Sequence, residues 1–191
     1  MTTLGAAMVR KRKIIVSIVT SADGFIARSD GSVDWLDRPH PKGGYGMSVF
    51  YKSIDTILWG RKTYDMALDF QKKGVAGSAF DTKVKNYVFT RSLPQSPAPA
   101  GVEFVSETIK AFATHLRAEK GKNIWMMGGA SIIGSFLNEG EIDEFIISVI
   151  PTFIGEGIPL IAPLRRTVPL SLISSKMFPD GVVKLHYAVR K

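Results

Sequence analysis

The chain of 191 residues carries 25 lysines and arginines against 17 aspartates and glutamates, a formal charge of +8, with 45% hydrophobic and 22% charged residues. That balance suits one globular domain with a proper core, and the positive excess favours anionic ligands. The absence of cysteine excludes a disulfide framework, a thiolate zinc site and a cysteine nucleophile, in keeping with a reducing cytoplasm.

The opening "MTTLGAAMVRKRK" lacks the long apolar core of a signal peptide, and residues 1–12 read as a disordered leader. Its basic run, Arg10, Lys11, Arg12 and Lys13, is either a solvated tail or a nucleic-acid contact. No aromatic-interleaved basic patch or nucleic-acid motif supports the second reading. Residues 14–19 are β-branched and nearly continuous, as in a strand buried on both faces, and stop at the turn-forming "SADG". Met47, Phe50, Tyr51 and Ile54 follow at helical spacing, and "DTILWGRKTYD" reads as a short strand through Ile57, Leu58 and Trp59, then Gly60 and a new helix. "NYVFTRS" is a strand ending in a polar turn, "LPQSPAPAG" a proline-rich loop and "GVEFVS" a further strand. Ser106 is placed to cap a helix whose apolar stripe is Ile109, Phe112, Ala113 and Leu116.

The stretch "NIWMMGGASIIGSFLNEG" runs from an apolar strand through two glycines into a helix striped by Ile132, Ile133, Phe136 and Leu137, closed by Asn138 and Gly140. Gly128 and Gly129 therefore lie beside a helix amino end. They either seat a phosphate or merely permit a tight turn, and neither G-x-G-x-x-G nor Gly-Lys-Ser/Thr is present to decide. "EIDEFIISVIP" is a strand. Residues 145–164 hold one charge, Glu156, but Pro151, Pro159 and Pro163 with Gly155 and Gly157 argue for a strand and an irregular loop, not a membrane helix. At the end, "LSLISSKMF", a "PDG" turn and "VVKLHYAVRK" form a hairpin in which Val183, Leu185, Tyr187 and Val189 alternate with Lys184, His186, Ala188 and Arg190. The pattern predicts a single α/β domain over residues 13–191, with a mainly parallel sheet and an antiparallel edge. His40, His115 and His186 share no ligand spacing, so no metal site is expected, and His115 and His186 read as ordinary surface residues. No nucleophile elbow appears.

Three strand-to-turn junctions, "LWGRKTY", "VFTRS" and "MMGGASII", stand where an open α/β sheet binds ligands. With "VTSADGFIA" before them and "VIPTFIGEGIPL" after, their order resembles the dihydrofolate-reductase-like superfamily. Within it the resemblance is closest to the reductase domain of bacterial riboflavin biosynthesis and its stand-alone relatives, from about Lys13 to the C-terminus. The resemblance implies a three-layer fold: a mostly parallel central sheet with an antiparallel C-terminal hairpin and helices on both faces. It also implies NADPH as cofactor, a small-molecule substrate, a homodimer and a cytoplasmic setting. Carried over position by position, it puts Gly60, Arg61, Lys62 and Thr63 at the cofactor's phosphates. Arg61 and Lys62 would favour the 2′-phosphate. Thr90, Arg91 and Ser92 fall at the adenosine end. Gly128, Gly129, Ala130, Ser131 and Ile132 fall at the pyrophosphate, and Val19 and Ile26 under the nicotinamide.

On the substrate side, the carboxylate of dihydrofolate reductases falls near Gly46 in "KGGYGMSVF", where no acid exists, which argues against folate reduction. Asp23 is a candidate for substrate contact or simply a turn-former. Trp35 borders the site or anchors its loop; Phe50 and Ser148 face the pocket or are plain wall. The zinc deaminase that accompanies this reductase in bifunctional relatives would need cysteine ligands, which are absent. The expected activity is reduction of an electron-poor C=N or C=O bond in a small heterocyclic or ribosylamino-pyrimidine-like substrate, with the cofactor carrying the chemistry. A true dihydrofolate reductase and a non-catalytic nucleotide-binding protein of the same fold are the alternatives.

Overall fold

Nearly continuous apolar runs give the central strands two buried faces, and helices cover both. The computed structural model describes residues 12–74, 83–95 and 97–190. In chain order it contains β1 (Ile14–Ser21), β2 (Phe25–Ala27), a 3-10 turn (Asp34–Leu36), α1 (Met47–Lys52), β3 (Ile54–Gly60) and α2 (Arg61–Lys72). There follow β4 (Lys85–Phe89), β5 (Val102–Val105), α3 (Ile109–Ala118), β6 (Asn123–Gly128), α4 (Ala130–Asn138), β7 (Glu144–Ile150), β8 (Ile158–Pro159), β9 (Leu170–Met177) and β10 (Val183–Val189). The main sheet runs β5-β4-β3-β6-β1-β7-β10-β9. Every pairing from β5 to β7 is parallel, and β10 joins both β7 and β9 antiparallel.

On one face Ile14, Val16, Leu58, Ile124 and Met126 pack against Phe112 and Leu116 of α3 and Ile133, Phe136 and Leu137 of α4. Their neighbours Ile15, Ile57, Trp59 and Trp125 point the other way, on to Phe50 of α1 and Tyr64 of α2. Side chains alternate across a strand, so continuous apolar runs yield two cores and three layers. This is the architecture of the dihydrofolate-reductase-like fold. α4 ends as its sequence implies. Gly140 has φ +72°, its N–H donates to the Leu137 carbonyl, and the Glu141 N–H donates to the Phe136 carbonyl.

Some local expectations are corrected. Ile54 belongs to β3, not to the helix before it, because α1 stops at Lys52. Thr108 rather than Ser106 caps α3, its hydroxyl accepting from the Ala111 N–H at 3.4 Å. The antiparallel pairing of β2 with β8 has no counterpart in the sequence reading, since both strands are too short to show a period. Residues 145–164 form β7 and then a loop carrying β8; among the described residues no helix is long and apolar enough to cross a membrane.

Arg12 is the largest departure. Its side chain is 3% exposed and donates to the carbonyls of Lys122 (2.8 Å) and Leu116 (3.1 Å) and to the Thr56 hydroxyl (2.8 Å), and it pairs with Asp55. A guanidinium has enough donors to satisfy such a nest, and its partners come from segments that sequence cannot place beside it. The packed unit therefore includes Arg12, while the rest of the predicted leader, including Arg10 and Lys11, lies outside the described residues. His186 is likewise no plain surface residue. Its Nε2 lies 2.8 Å from buried Glu144, which also bonds Lys13. Burial raises the Glu144 carboxyl, but the bonds from Lys13 and His186 outweigh it and hold the group below the usual carboxylate range.

Candidate functional site

Parallel pairing of β3 with β6 sets Trp59 opposite Gly128, so the helices that follow these strands begin side by side. A Cβ on Gly60 would stand 3.2 Å from Ile132 Cγ2 and 3.3 Å from the Gly128 carbonyl oxygen. One on Gly129 would stand 3.1 Å from Thr63 Oγ1 and 3.9 Å from Ile26 Cδ1. Gly60, Thr63, Gly128, Gly129, Ile132 and Ile26 thus form one junction. Gly128 has φ +109°, a backbone that side-chain-bearing residues rarely adopt, and its peptide bond to Gly129 is cis. Neither Gly60 nor Gly129 caps its helix with a side chain, so the first-turn amides of α2 and α4 face this junction without a local acceptor. Such a pair of helix starts, bare of Cβ atoms, suits a phosphorylated ligand.

Around the junction, Ala130 is buried and its carbonyl accepts from the Ala162 N–H at 3.2 Å, while Ser131 is exposed. The turn after β4 begins beside Gly60, which pairs with Phe89. There the Thr90 hydroxyl donates to the Ser92 carbonyl at 2.8 Å, and Arg91 and Ser92 are exposed. Arg61 is held by both carboxylate oxygens of Asp65 at 2.9 Å, with its guanidinium 5.3 Å from the centre of the Phe104 ring. It leans towards β5, and Lys62 beside it is exposed. Val19 packs with Trp35, Ile150, Phe178 and Val182 in a third apolar cluster under the loops.

Asp23 is a staple between two loops. It accepts from the Ser21 hydroxyl at 2.5 Å, the Ile154 N–H at 3.1 Å and the Gly155 N–H at 2.8 Å. The Ser21 bond, aided by the Gly155 amide and opposed by desolvation, keeps its carboxyl below the usual range. Further along the same loop, a Cβ on Gly157 would fall 2.2 Å from the Ala27 carbonyl oxygen, so only glycine lets the loop lie on β2. Trp35 is buried, and its indole N–H has no acceptor among the described residues. Phe50 lies in the wall between α1 and the sheet. It is 7% exposed and packs edge-to-face on Trp125 with ring centres 5.5 Å apart, because the apolar stripe of α1 turns on to the sheet.

Ser148 pairs in register with Val19 on β1 and with Lys184 on β10, so these three side chains share one face. Sequence reasoning passed over Lys184, which reads as the solvent half of an alternating strand. Its Nζ donates to the Tyr45 carbonyl at 2.9 Å and lies 3.6 Å from where a Cβ on Gly46 would be. Burial, with Lys176 adding to it, pushes this amine down. The Tyr45 hydroxyl donates to Asp180 at 2.5 Å; burial first and that carboxylate second push the phenol up. Among the described residues no group of three or more His, Cys, Asp or Glu could hold a metal ion. A surface pocket of about 340 Å³ lies at the opposite, amino ends of β4 and β5 and contains none of the residues above.

The RibD C-terminal domain family model matches residues 12–184. The Bacillus subtilis protein YwjB, itself described as uncharacterized, is 43% identical over 178 residues, covering 93% of this chain and 98% of YwjB. The crystal structure of a Shewanella sp. PV-4 protein provisionally assigned to riboflavin biosynthesis superposes with a TM-score of 0.81 at 28% identity, over 94% of this chain and 99% of that one. Enterococcus faecalis dihydrofolate reductase, solved with NADP(H), gives 0.59 at 15% identity over 94% and 97%, a likeness of fold alone.

Proposed function

The chain belongs to the RibD C-terminal domain family, a reductase family of the riboflavin-pathway type, and from there we propose an NADPH-dependent reductase of a small heterocyclic, ribosylamino-pyrimidine-like substrate. The observation that carries this reading is the meeting of Gly60 and Thr63 with Gly128, Gly129 and Ile132 at the carboxyl ends of adjacent parallel strands. The residues fit a dinucleotide: the cradle is one that Cβ atoms would fill, two uncapped helix starts offset phosphate charge, and Ile26 supplies an apolar side.

In this reading Gly60, Gly128 and Gly129 admit the pyrophosphate, with Ala130 and Ser131 opening the helix behind it. Arg61 and Lys62 meet the 2′-phosphate from two sides, and Thr90, Arg91 and Ser92 border the adenosine. Val19 and Ile26 underlie the nicotinamide, while Trp35 and Ser148 border the substrate. Asp23 holds the loop through Gly155 in place. Bound there, NADPH supplies the hydride; the protein supplies position and electrostatics. Gly46 disfavours folate as substrate, since the carboxylate that would hold a pterin has no residue to carry it. Pairing of two copies through β9 and a cytoplasmic setting complete the reading.

The test is a thermal-shift titration with NADPH beside NADH. Ligand at a hundred times its dissociation constant stabilises by about 2.7 kcal/mol. For a chain of this length that corresponds to roughly 5–10 °C in midpoint. A large shift with NADPH and a small one with NADH is expected, and no shift with either overturns the reading. An NADPH shift without turnover of any pyrimidine, pterin or quinone would favour a nucleotide-binding protein without catalysis.

A further inference from the structure

We propose that Lys184 is the proton donor of the reaction, delivering its proton to the substrate atom left electron-rich by hydride transfer; the proposal rests on the reductase reading above. Position is the first argument. Val19, Ser148 and Lys184 form one rung across β1, β7 and β10, all on the same face. With neighbouring strands about 4.8 Å apart, the Lys184 backbone stands roughly 10 Å from that of Val19, room for one heterocyclic ring between the hydride-donor floor and the amine. The Tyr45 carbonyl fixes the amine beside Gly46, and Gly46, lacking a side chain, leaves that space open.

The second argument is the charge around it. Among the described residues no carboxylate lies within ion-pair distance of Lys184. Asp180 is occupied by the Tyr45 hydroxyl and Arg38. On the same face, four residues from Ser148 along β7, Glu144 is occupied by His186 and Lys13. The remaining neighbour, Lys176 on β9, is itself a cation, held 4.9 Å from the centre of the Phe178 ring. An ammonium has three donors, and Tyr45 uses one, so two remain for a ligand. Burial and Lys176 make this ammonium a stronger acid than an exposed lysine, which favours giving up its proton.

The chemistry balances. A reduced nicotinamide dinucleotide, oxidised by two electrons, is the hydride source. As a C–H bond forms at the carbon of a C=N or C=O bond, the π pair moves to nitrogen or oxygen, and an N–H or O–H bond forms there with the proton of Lys184 Nζ. The neutral amine is then recharged from water.

Two measurements on the full chain test this. Competitive acetylation across pH 6–11, read by mass spectrometry, compares Lys184 with Lys62, which is exposed on α2. Lys184 is expected to titrate below Lys62, and titration with or above it overturns the proposal. Lys184→Met and Lys184→Arg are then assayed with NADPH and the pyrimidine 5-amino-6-(5-phosphoribosylamino)uracil. The Met variant should lose roughly 100- to 10,000-fold in kcat together with the alkaline limb of the pH profile, while NADPH binding followed by fluorescence stays unchanged. Arginine, which does not give up its proton in this range, should not rescue. Wild-type kcat in the Met variant overturns the proposal. Failure of every form to bind NADPH overturns the reductase reading instead. If the wild type binds NADPH but leaves this pyrimidine unreduced, the substrate class falls, and the acetylation profile still decides for or against Lys184.

Discussion

Gly129 and Gly128 are adjacent and serve different needs. Gly129 has φ −81°, open to any residue, and a Cβ there would press only on Thr63 Oγ1 at 3.1 Å and Ile26 Cδ1 at 3.9 Å, two side-chain ends that can shift. Gly129→Ala should therefore cost under about 1 kcal/mol in urea unfolding, yet fill the cradle and weaken NADPH binding at least about tenfold, roughly 1.4 kcal/mol. Undiminished NADPH affinity in this variant would move the dinucleotide away from the junction. Gly128→Ala, at φ +109°, should instead show its loss in the unfolding curve, by about 1–2 kcal/mol. These glycines were legible because a glycine between strand and helix has few reasons to be there. Lys184 and His186 were not. Each gains its meaning from Tyr45 or Glu144, brought to it by pairing across more than forty residues of chain or by an uncovered loop. Phe50, packed on Trp125, shows a further limit: helical spacing shows that a residue is inside, not which inside it faces.

Elements with many periods of their own pattern were readable, and those fixed by their ends were not. α2, α3 and α4 each repeat an apolar stripe over two or more turns, and β1 and β7 are continuous apolar runs. α1 has only six residues, so whether Ile54 continues it or opens β3 depends on where the sheet needs its next rung. The cap of α3 shows the same limit. Ser106 and Thr108 are both able to cap, and the chain leaves the edge strand β5 at Val105 in a direction that brings Thr108 to the Ala111 amide. Thr108→Ala should destabilise by about 1 kcal/mol. Ser106→Ala should stay within about 0.5 kcal/mol, both read from denaturant midpoints at unchanged slope. Equal losses in the two variants would mean that the cap is shared.

For the whole molecule the open question is the far edge of the sheet. β5 at one end is short, four residues, as edge strands commonly are. β9 at the other end has eight, and Leu172 (58% exposed), Ile173 (51%) and Met177 (78%) lie along it. A long apolar edge strand left to solvent invites pairing with another chain, so β9 has the character of a surface covered by a second copy. Part of the positive charge that composition alone points towards ligands is used elsewhere: Arg12 and Arg117 are spent inside the fold on carbonyls and carboxylates, and Lys184 faces the proposed substrate side. With a chain mass of 20.9 kDa, light scattering behind size exclusion should give about 42 kDa for the wild type, twice the chain mass. Leu172→Glu combined with Ile173→Lys should return it to the mass of one chain with NADPH binding retained, because neither residue touches the glycine junction. A dimer that survives both charges uses another face, and a wild type that stays at one chain mass up to about 100 μM, well above the Kd expected of a standard-sized interface, removes the second copy from the proposal.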